Sequence, residues 1–498
     1  MMFHRKSLGL MLLIQCLLSY FAIGQDISHK RDQQQAVTLF KSLKEVEHSE
    51  WYKGVQKVSF TLIGLNNNPR QAYDMTKKVK IEDSKETFIG HWFYDFENKK
   101  YRNYTRALYH GGHDLRFEEL NHKDTSYYIT TQLRKYNSAS NPFENTKDDC
   151  MNIPGLWLSK LDDENLGLSY IGKSEQGQEI IELTFNGLRR RLYINDSNML
   201  QKVSWVTNDL IRGKRQNTIS YGKRINLYGF KVPNSIEKYV DDEKRQIRTI
   251  KRVQSDKLLE DTFRLDKDLS LFDKDSWVLK AVSKNVFQYQ GLGGQLYNIS
   301  FVVFPNFILV YDAILSPGIT NKFLDLIKKD FPNKPVKYVV LSHNHTDHVS
   351  GLRGYNLEGV TVLTSKKTQG RVGQYIAEEN RKCMIETIDP GRSKGISDGN
   401  VELTVENVGR TPHVDDMLYV IVNSDEVVIE ADSFFEFSPW GDIFCFFLDW
   451  VRANKLDDFT IIGTHLRPTS FEGIKQAKEE SSKGVYPEYL KKQGLLDQ

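Results

Sequence analysis

Residues 339–351, VVLSHNHTDHVSG, place three histidines and an aspartate within six consecutive positions directly behind an apolar run. Histidine is otherwise scarce, with 12 in 498 residues, so abundance does not explain the cluster. The feature restricts the fold, because a buried strand must end where imidazoles and a carboxylate are wanted. His343 and His345 share one side of an extended segment, since side chains two apart point the same way. Asp347 follows on that side, and His348 turns the other way as the loop bends. Neutral imidazole nitrogens suit Zn²⁺, and a carboxylate supplies an oxygen ligand. Two divergent groups of ligands from one loop can serve two metals. The rival reading, a polar surface turn, leaves the preceding apolar strand unexplained.

The pattern around this loop alternates strand and helix. ISFVVF and FILVYDAIL read as strands, TNKFLDLIKKDF as a helix, KYVVLSH as a strand and TQGRVGQYIAEENRK as a helix. VELTVENV, MLYVIVN and EVVIEAD follow as strands, then DIFCFFLDWVRANK as a helix, FTIIGTH as a last strand and FEGIKQAKEESSKG as a surface helix. Such alternation predicts an α/β or layered αββα domain over residues 283–498. Upstream the pattern differs. After a helix over about 33–44, short runs such as VSFTLIG, TFIGHWFYDF, TSYYITTQL and EIIELTF alternate apolar and polar residues between turn signals. That predicts an antiparallel β-rich domain over residues 25–264, read as one curved sheet or half-barrel. Residues 265–282 open with LDKDLSLFDKDS and read as a linker. The whole is an α+β chain.

Residues 1–24 carry a basic start, the apolar stretch LGLMLLIQCLLSYF and a small-x-small site at Ala22-Ile23-Gly24, the pattern of a cleaved export signal. Its apolar run is broken by Gln15 and falls short of the roughly 20 residues a spanning helix needs. The expectation is an exported protein, periplasmic or secreted, with no stable membrane span. Beyond Cys16, only Cys150, Cys383 and Cys445 remain, too few for a disulfide framework and without a Cys-x-x-Cys pair. The charges, 68 basic against 65 acidic residues, nearly cancel and form no like-charge block, which disfavours nucleic acid as a partner. A small-molecule substrate is expected instead; the oligomeric state is left open.

His343-x-His345-x-Asp347-His348 after an apolar strand resembles the signature of the metallo-β-lactamase-fold hydrolases. The resemblance extends in order along residues 283–467. Asp312 in LVYDAI is similar to the family's early strand-end aspartate, and GRTPHVDDMLYV to the segment bearing its third histidine, here His413. VVIEADSF is similar to the strand ending in the bridging aspartate, here Asp432, and IIGTH to the closing strand with its final ligand, His465. Two departures stand out: EAD replaces the usual Gly-Asp, and TPH lacks the glycine common before that histidine. Beyond residue 123 the only histidines are His343, His345, His348, His413 and His465, all in ligand positions.

The resemblance implies one zinc on His343, His345 and His413, another on Asp347, His348 and His465, and Asp432 between them. Zinc is the expected metal, two ions per chain, with iron or manganese as alternatives. It further implies a hydroxide between the metals attacking an ester, thioester, lactone or amide, with Asp347 as the catalytic carboxylate. No Gly-x-Ser-x-Gly elbow offers a serine nucleophile. Two other readings compete. One is a persulfide dioxygenase-like enzyme with a single iron; the other is a lipid- or partner-binding protein with a residual metal site.

Two further stretches carry weaker signals. SFFEFSPWGDIFCFFLDW reads either as the wall of a pocket for an apolar substrate, through Phe434, Phe435, Phe437 or Trp440, or as the buried face of the next helix. YHGGHDLRF, with His110 and His113, reads as an ordinary glycine loop or as a second metal site. The aromatic strands of the β-rich half weakly resemble the half-barrel of periplasmic lipoprotein carriers, which implies an apolar ligand or a structural role.

Overall fold

The protein is described by a computed structural model covering residues 32–67, 81, 86–109, 111–131, 134–161, 166–185, 187–209, 213–271, 277–292, 296–378, 383–435, 441–481, 487–493 and 495. The proposed export segment, His110, Phe437 and Trp440 lie outside the described residues. The chain divides into two compact units, Met1–Leu62 with Glu144–Lys257, and Ile63–Phe143 with Leu258–Gln498.

The first unit is an antiparallel meander behind the predicted N-terminal helix. Strands Gly167–Lys173, Glu179–Phe185, Leu188–Ile194, Leu200–Asp209 and Gly213–Tyr221 pair in chain order, then Ile236–Val240 and Glu243–Ser255 extend the sheet. Its alternation is physical: in Glu179–Phe185 the buried positions are Ile181, Leu183 and Phe185. The short helix Pro154–Ser159, whose six residues are all buried, Trp157 among them, packs so closely on the helix Ser49–Lys53 that a Cβ on Gly155 would fall 2.5 Å from the Tyr52 ring. The Tyr221 hydroxyl donates to the Met151 carbonyl at 2.8 Å, tying the sheet to the segment before that helix. Glu47 and Arg224, both buried, form a two-point ion pair at 2.7 and 3.0 Å. Removing either partner would strand a buried charge at a cost of about 3–5 kcal/mol.

The second unit opens with another meander, Glu86–Asp95, Lys100–Leu108, Asp114–His122, Thr125–Thr130 and Lys135–Ser140. This meander falls in the second unit and lies within the 25–264 stretch read from the sequence as β-rich. Buried Arg102 donates to Glu118 at 2.6 and 2.8 Å and to the carbonyls of Thr262 and Arg264, while the Tyr489 hydroxyl donates to Glu118. Leu265 and Leu269, inside the charge-rich stretch expected to be a linker, pack on the cluster of Phe93, Leu120, Phe263 and Tyr489.

The remainder is an αββα sandwich. One sheet of seven strands runs in chain order from Val278–Ala281 to Met384–Thr387, the other of six from Ser393–Asp398 to Leu466–Thr469. Their facing sides share one core, in which Leu309, Val340 and Leu363 meet Leu403, Val420 and Ile429. The outer face of the first sheet takes Phe323 and Ile327 of the helix Pro317–Asp330. Helix Asp442–Ala453 adds Phe444, Phe447 and Val451 to the shared core from the other side. Each such side chain contributes about 1.5–3 kcal/mol by leaving water. The central strands are buried throughout, as in Ile308–Tyr311, Met417–Val422 and Val427–Glu430. Strands covered on both faces read as continuous apolar runs, and these do. Ile308–Tyr311 lies parallel to Val336–Val340, and Val427–Glu430 parallel to Thr460–Gly463, so the C-terminal ends of each pair come to one edge.

Among the described residues no helix is long and apolar enough to cross a membrane. Cys150, Cys383 and Cys445 are all free thiols.

Candidate metal centre

All seven expected ligands stand just beyond the C-terminal ends of strands. His343, His345, Asp347 and His348 follow Val336–Val340, His413 follows Val401–Gly409, Asp432 follows Val427–Glu430 and His465 follows Thr460–Gly463. They converge in two groups. His343, His345, His413 and Asp432 form one, and Asp347, His348 and His465 the other, with the candidate ligand atoms of each group within 4.8 Å of one another. The carboxylate of Asp432 reaches both. Its Oδ2 lies 3.1 Å from His413 Nε2 and 3.5 Å from His343 Nε2, while Oδ1 lies 2.8 Å from His348 Nε2 and 3.3 Å from His465 Nε2.

The residues suit a divalent metal ion. His345 Nδ1 and His413 Nε2 lie only 3.1 Å apart, an arrangement suited to two lone pairs sharing a cation. The Nε2 atoms of His343, His348 and His465 and Asp432 Oδ1 are buried without a hydrogen-bond partner of good geometry. Native folds seldom leave such atoms idle, and a site with this many points to an ion. Burial, with the neighbouring imidazoles of His348 and His345, holds His343 well below its usual pKa; burial lowers His345 to about 4. Both are therefore neutral imidazoles, the form that binds metal. Burial would lower His348 too, but the carboxylates of Asp432, Asp347 and Asp312 together outweigh it and raise its pKa. The same imidazoles overcome the burial of Asp432 and hold that carboxyl well below its ordinary value.

The candidate ligands are aimed by groups behind them. Asp312 has φ 65, the left-handed region, which an aspartate tolerates better than most residues. From there Oδ1 accepts from the Ser342 amide at 2.8 Å, and Oδ2 accepts from Thr464 Oγ1 at 2.8 Å and His348 Nδ1 at 2.7 Å. His465 Nδ1 lies 2.7 Å from the Leu296 carbonyl, which leaves Nε2 for the site. The histidine loop is itself laced to the turn after Ile308–Tyr311, with Ala313 N on the His348 carbonyl at 2.9 Å and Leu315 N on the Asp347 carbonyl at 2.8 Å. Before His413, where a glycine is usual, the Thr411 hydroxyl accepts from the amides of His413 and Val414 and shapes the turn instead. In EAD, the other departure, Ala431 takes the glycine's place and is fully buried, while Glu430 before it is also buried and caps the next turn by accepting from Ser433 N at 2.8 Å.

Three neighbours carried little or no signal of this role in the sequence. Tyr297 donates its hydroxyl to Asp347 Oδ2 at 3.1 Å and lies against the His465 ring; its run YNISFVV reads only as a strand. Phe435 stacks on His465 with ring centres 4.2 Å apart, so it walls the site, whereas Phe434 packs on Phe444 in the core. The aromatic stretch thus divides between both readings. His113 lies edge-on to His413 and to Phe435, at 5.1 and 4.6 Å. Burial lowers its pKa to about 3. Its glycine pair was the only cue.

With the geometry in view, comparison with known proteins is decisive for the fold: the metallo-beta-lactamase superfamily model matches residues 292–439. The chain carries a metallo-β-lactamase superfamily domain. The matched span holds every candidate ligand named above except His465, which follows it. Within the chain as a whole, 66 residues are 36% identical to a linear primary-alkylsulfatase of Pseudomonas sp., covering 13% of this chain and 10% of that protein. A further 73 residues' match at 27% identity, 15% of this chain and 11% of the relative, is to the alkyl/aryl-sulfatase BDS1 of Saccharomyces cerevisiae. The chain thus spans only about a tenth of the length of these curated relatives. Among solved structures, a metallo-beta-lactamase from Pontibacter korlensis matches with 16% identity and a TM-score of 0.32, over 42% of this chain and 99% of that one.

Proposed function

We propose that this protein is an exported hydrolase that holds two zinc ions and cleaves an ester-class bond in a small, partly apolar molecule. The single observation behind this reading is the division of labour at Asp432, whose two oxygens each face a different group of imidazoles. His343, His345 and His413 would hold one ion, Asp347, His348 and His465 the other, and Asp432 would join them. Bound there, the ions would lower the pKa of water toward 7 and polarise the scissile bond.

The protein's own groups then have defined tasks. The Asp347 side chain is 18% exposed, the most open of the carboxylates facing His348, and is steadied by Tyr297. It takes the proton of the attacking water and returns it to the leaving group. Asp312 and the Leu296 carbonyl keep His348 and His465 in the tautomer that turns Nε2 inward. Phe435 over His465 gives one side of the site an apolar wall.

Carboxylic esters, thioesters, lactones and amides all suit this arrangement. The two short alkylsulfatase matches favour a second reading, a sulfate ester. Metal analysis of the purified chain should give about two zinc ions. A panel of chromogenic carboxylic esters, thioesters, a lactone, a cephalosporin and an alkyl or aryl sulfate should show at least one hydrolysis that a chelator abolishes. One iron per chain with oxygen uptake would replace the proposal with a dioxygenase, and metal-independent binding of an apolar ligand without turnover with a binding protein. Export is tested by N-terminal sequencing of the mature protein, which should begin at Gln25.

A further inference from the structure

The turn between the strands Lys100–Leu108 and Asp114–His122 lies far outside the matched metallo-β-lactamase region, yet it reaches the metal centre. It is pinned by a crossing of backbones. Gly111 and Gly112 have φ 84 and 82, and Gly441 has φ 147, all conformations that side chains rarely adopt. A Cβ on Gly441 would fall 2.1 Å from the Gly111 carbonyl oxygen, and one on Gly112 2.8 Å from the Gly441 Cα, so no side chain fits in this contact. The Gly111 carbonyl also accepts from Ile443 N.

The crossing delivers His113 to the site. Its side chain is buried, and neither ring nitrogen has a hydrogen-bond partner of good geometry among the described residues, although the Asp432 backbone stands close. The ring sits at 83° to His413 and 72° to Phe435, and Phe435 stacks in turn on His465. A strip of rings, His413–His113–Phe435–His465, therefore runs from one ligand group to the other. His113 stands outside both groups of ligand atoms. For packing alone, a phenylalanine would fill the place without burying two ring nitrogens, of which the Asp432 backbone can serve only one, and buried polar atoms lacking a good partner are destabilising. Tyr109, at the other end of the turn, lies within electrostatic reach of Asp347.

We propose that His113 is a substrate-binding residue of the metal site, its ring N–H donating to an oxygen of the molecule being cleaved, with Phe435 beside it against the apolar part. A residue from outside the metallo-β-lactamase domain thus completes the pocket. This rests on the hydrolase reading, and the test separates the two. In the full zinc-loaded chain, His113→Phe keeps ring and volume without nitrogens, and His113→Asn restores a donor. Three quantities are read: metal per chain, calorimetric affinity for the product-like anions acetate and sulfate, and KM against kcat on any panel substrate that is cleaved. The expected result is unchanged metal content, anion binding weakened and KM raised about tenfold or more in His113→Phe, and partial recovery in His113→Asn. Wild-type anion affinity and KM in His113→Phe would overturn the proposal, as would loss of metal from that variant or no anion binding by the wild type. If the wild type hydrolyses nothing, the hydrolase reading fails while the anion measurements still decide the role of His113.

Discussion

The carboxylate of Asp312 accepts the Nδ1 proton of His348 at 2.7 Å, and this contact decides which ring nitrogen the site receives. Asp312 is no ligand itself. It fixes the tautomer, raises the basicity of the ring and holds the loop through Ser342 N. Asp312→Asn is the clean variant, since asparagine also tolerates the left-handed backbone and keeps one acceptor. The expected outcome is metal affinity reduced about 10–100-fold with little loss of fold. Competition with a chromophoric chelator measures it; unchanged affinity would leave Asp312 a purely structural turn residue.

Metal removal is expected to destabilise the second unit. Without a cation, His345 Nδ1 and His413 Nε2 face each other at 3.1 Å, and several buried nitrogens lack partners. An ion that binds only the folded chain adds about 4 kcal/mol when present at a thousand times its Kd. Chelation should therefore lower the melting temperature, and added zinc should restore it. Asp432→Ala should melt like the chelated protein and gain nothing from zinc. A chelator-insensitive melt would count against resident ions.

The site was more legible than its surroundings. His343, His345, Asp347 and His348 lie within a few residues of each other, and the apolar strand before them announces where they point. Asp432 was legible only by its order, because strands commonly end in aspartate. Tyr297 was not legible, and Phe435 only as one of four aromatic candidates for a pocket wall, for their contacts with Asp347 and His465 join segments far apart in sequence. The strand–helix alternation gave the sandwich, though short strands such as Thr361–Thr364 and Met384–Thr387 went unread because four residues show no period. Arg102, Glu118 and Tyr489 form a buried network that no local pattern contains. HGGH did hold a cue. Two successive glycines require either open space or a close backbone neighbour, and Gly441 is that neighbour.

The turn bearing His113 should loosen in acid. Asp114 is bonded by Arg106 and Arg116, at 2.9 and 2.8 Å to Oδ2. Burial alone would raise its pKa, but the two guanidiniums prevail and lower it below 3.8. The unfolded chain then binds the proton more readily than the folded one, so stability rises with pH through this window. The contribution is present above about pH 3.8 and is lost as pH falls through the depressed value. Asp114→Asn should cost about 1–3 kcal/mol at neutral pH, and its difference from wild type should vanish in acid. Denaturant titrations of both proteins from neutral pH down through the depressed value check this; a difference that persists unchanged at the acid end would refute the charge-based account.

Gly351 ends the histidine loop, and its place leaves no room for a side chain. A Cβ there would lie 2.5 Å from Thr320 Oγ1, 2.7 Å from the Ile314 carbonyl oxygen and 2.9 Å from the Ala313 carbonyl carbon. Gly351 N also donates to the Ala313 carbonyl, and the Thr320 hydroxyl donates to the Gly351 carbonyl. A methyl group must therefore push the loop away from the strand-end turn that holds Asp312. Gly351→Ala should cost about 1–3 kcal/mol by overpacking and weaken metal binding along with it. Adding Thr320→Ala should not rescue it, because two of the three obstacles are backbone atoms. Gly370→Ala is the control, in the helix Lys366–Glu378 with open space at its Cβ. It should stabilise by about 0.5–1 kcal/mol and leave metal affinity alone. Equal behaviour of the two alanine variants in melting and zinc titration would show that the loop is not set by this contact.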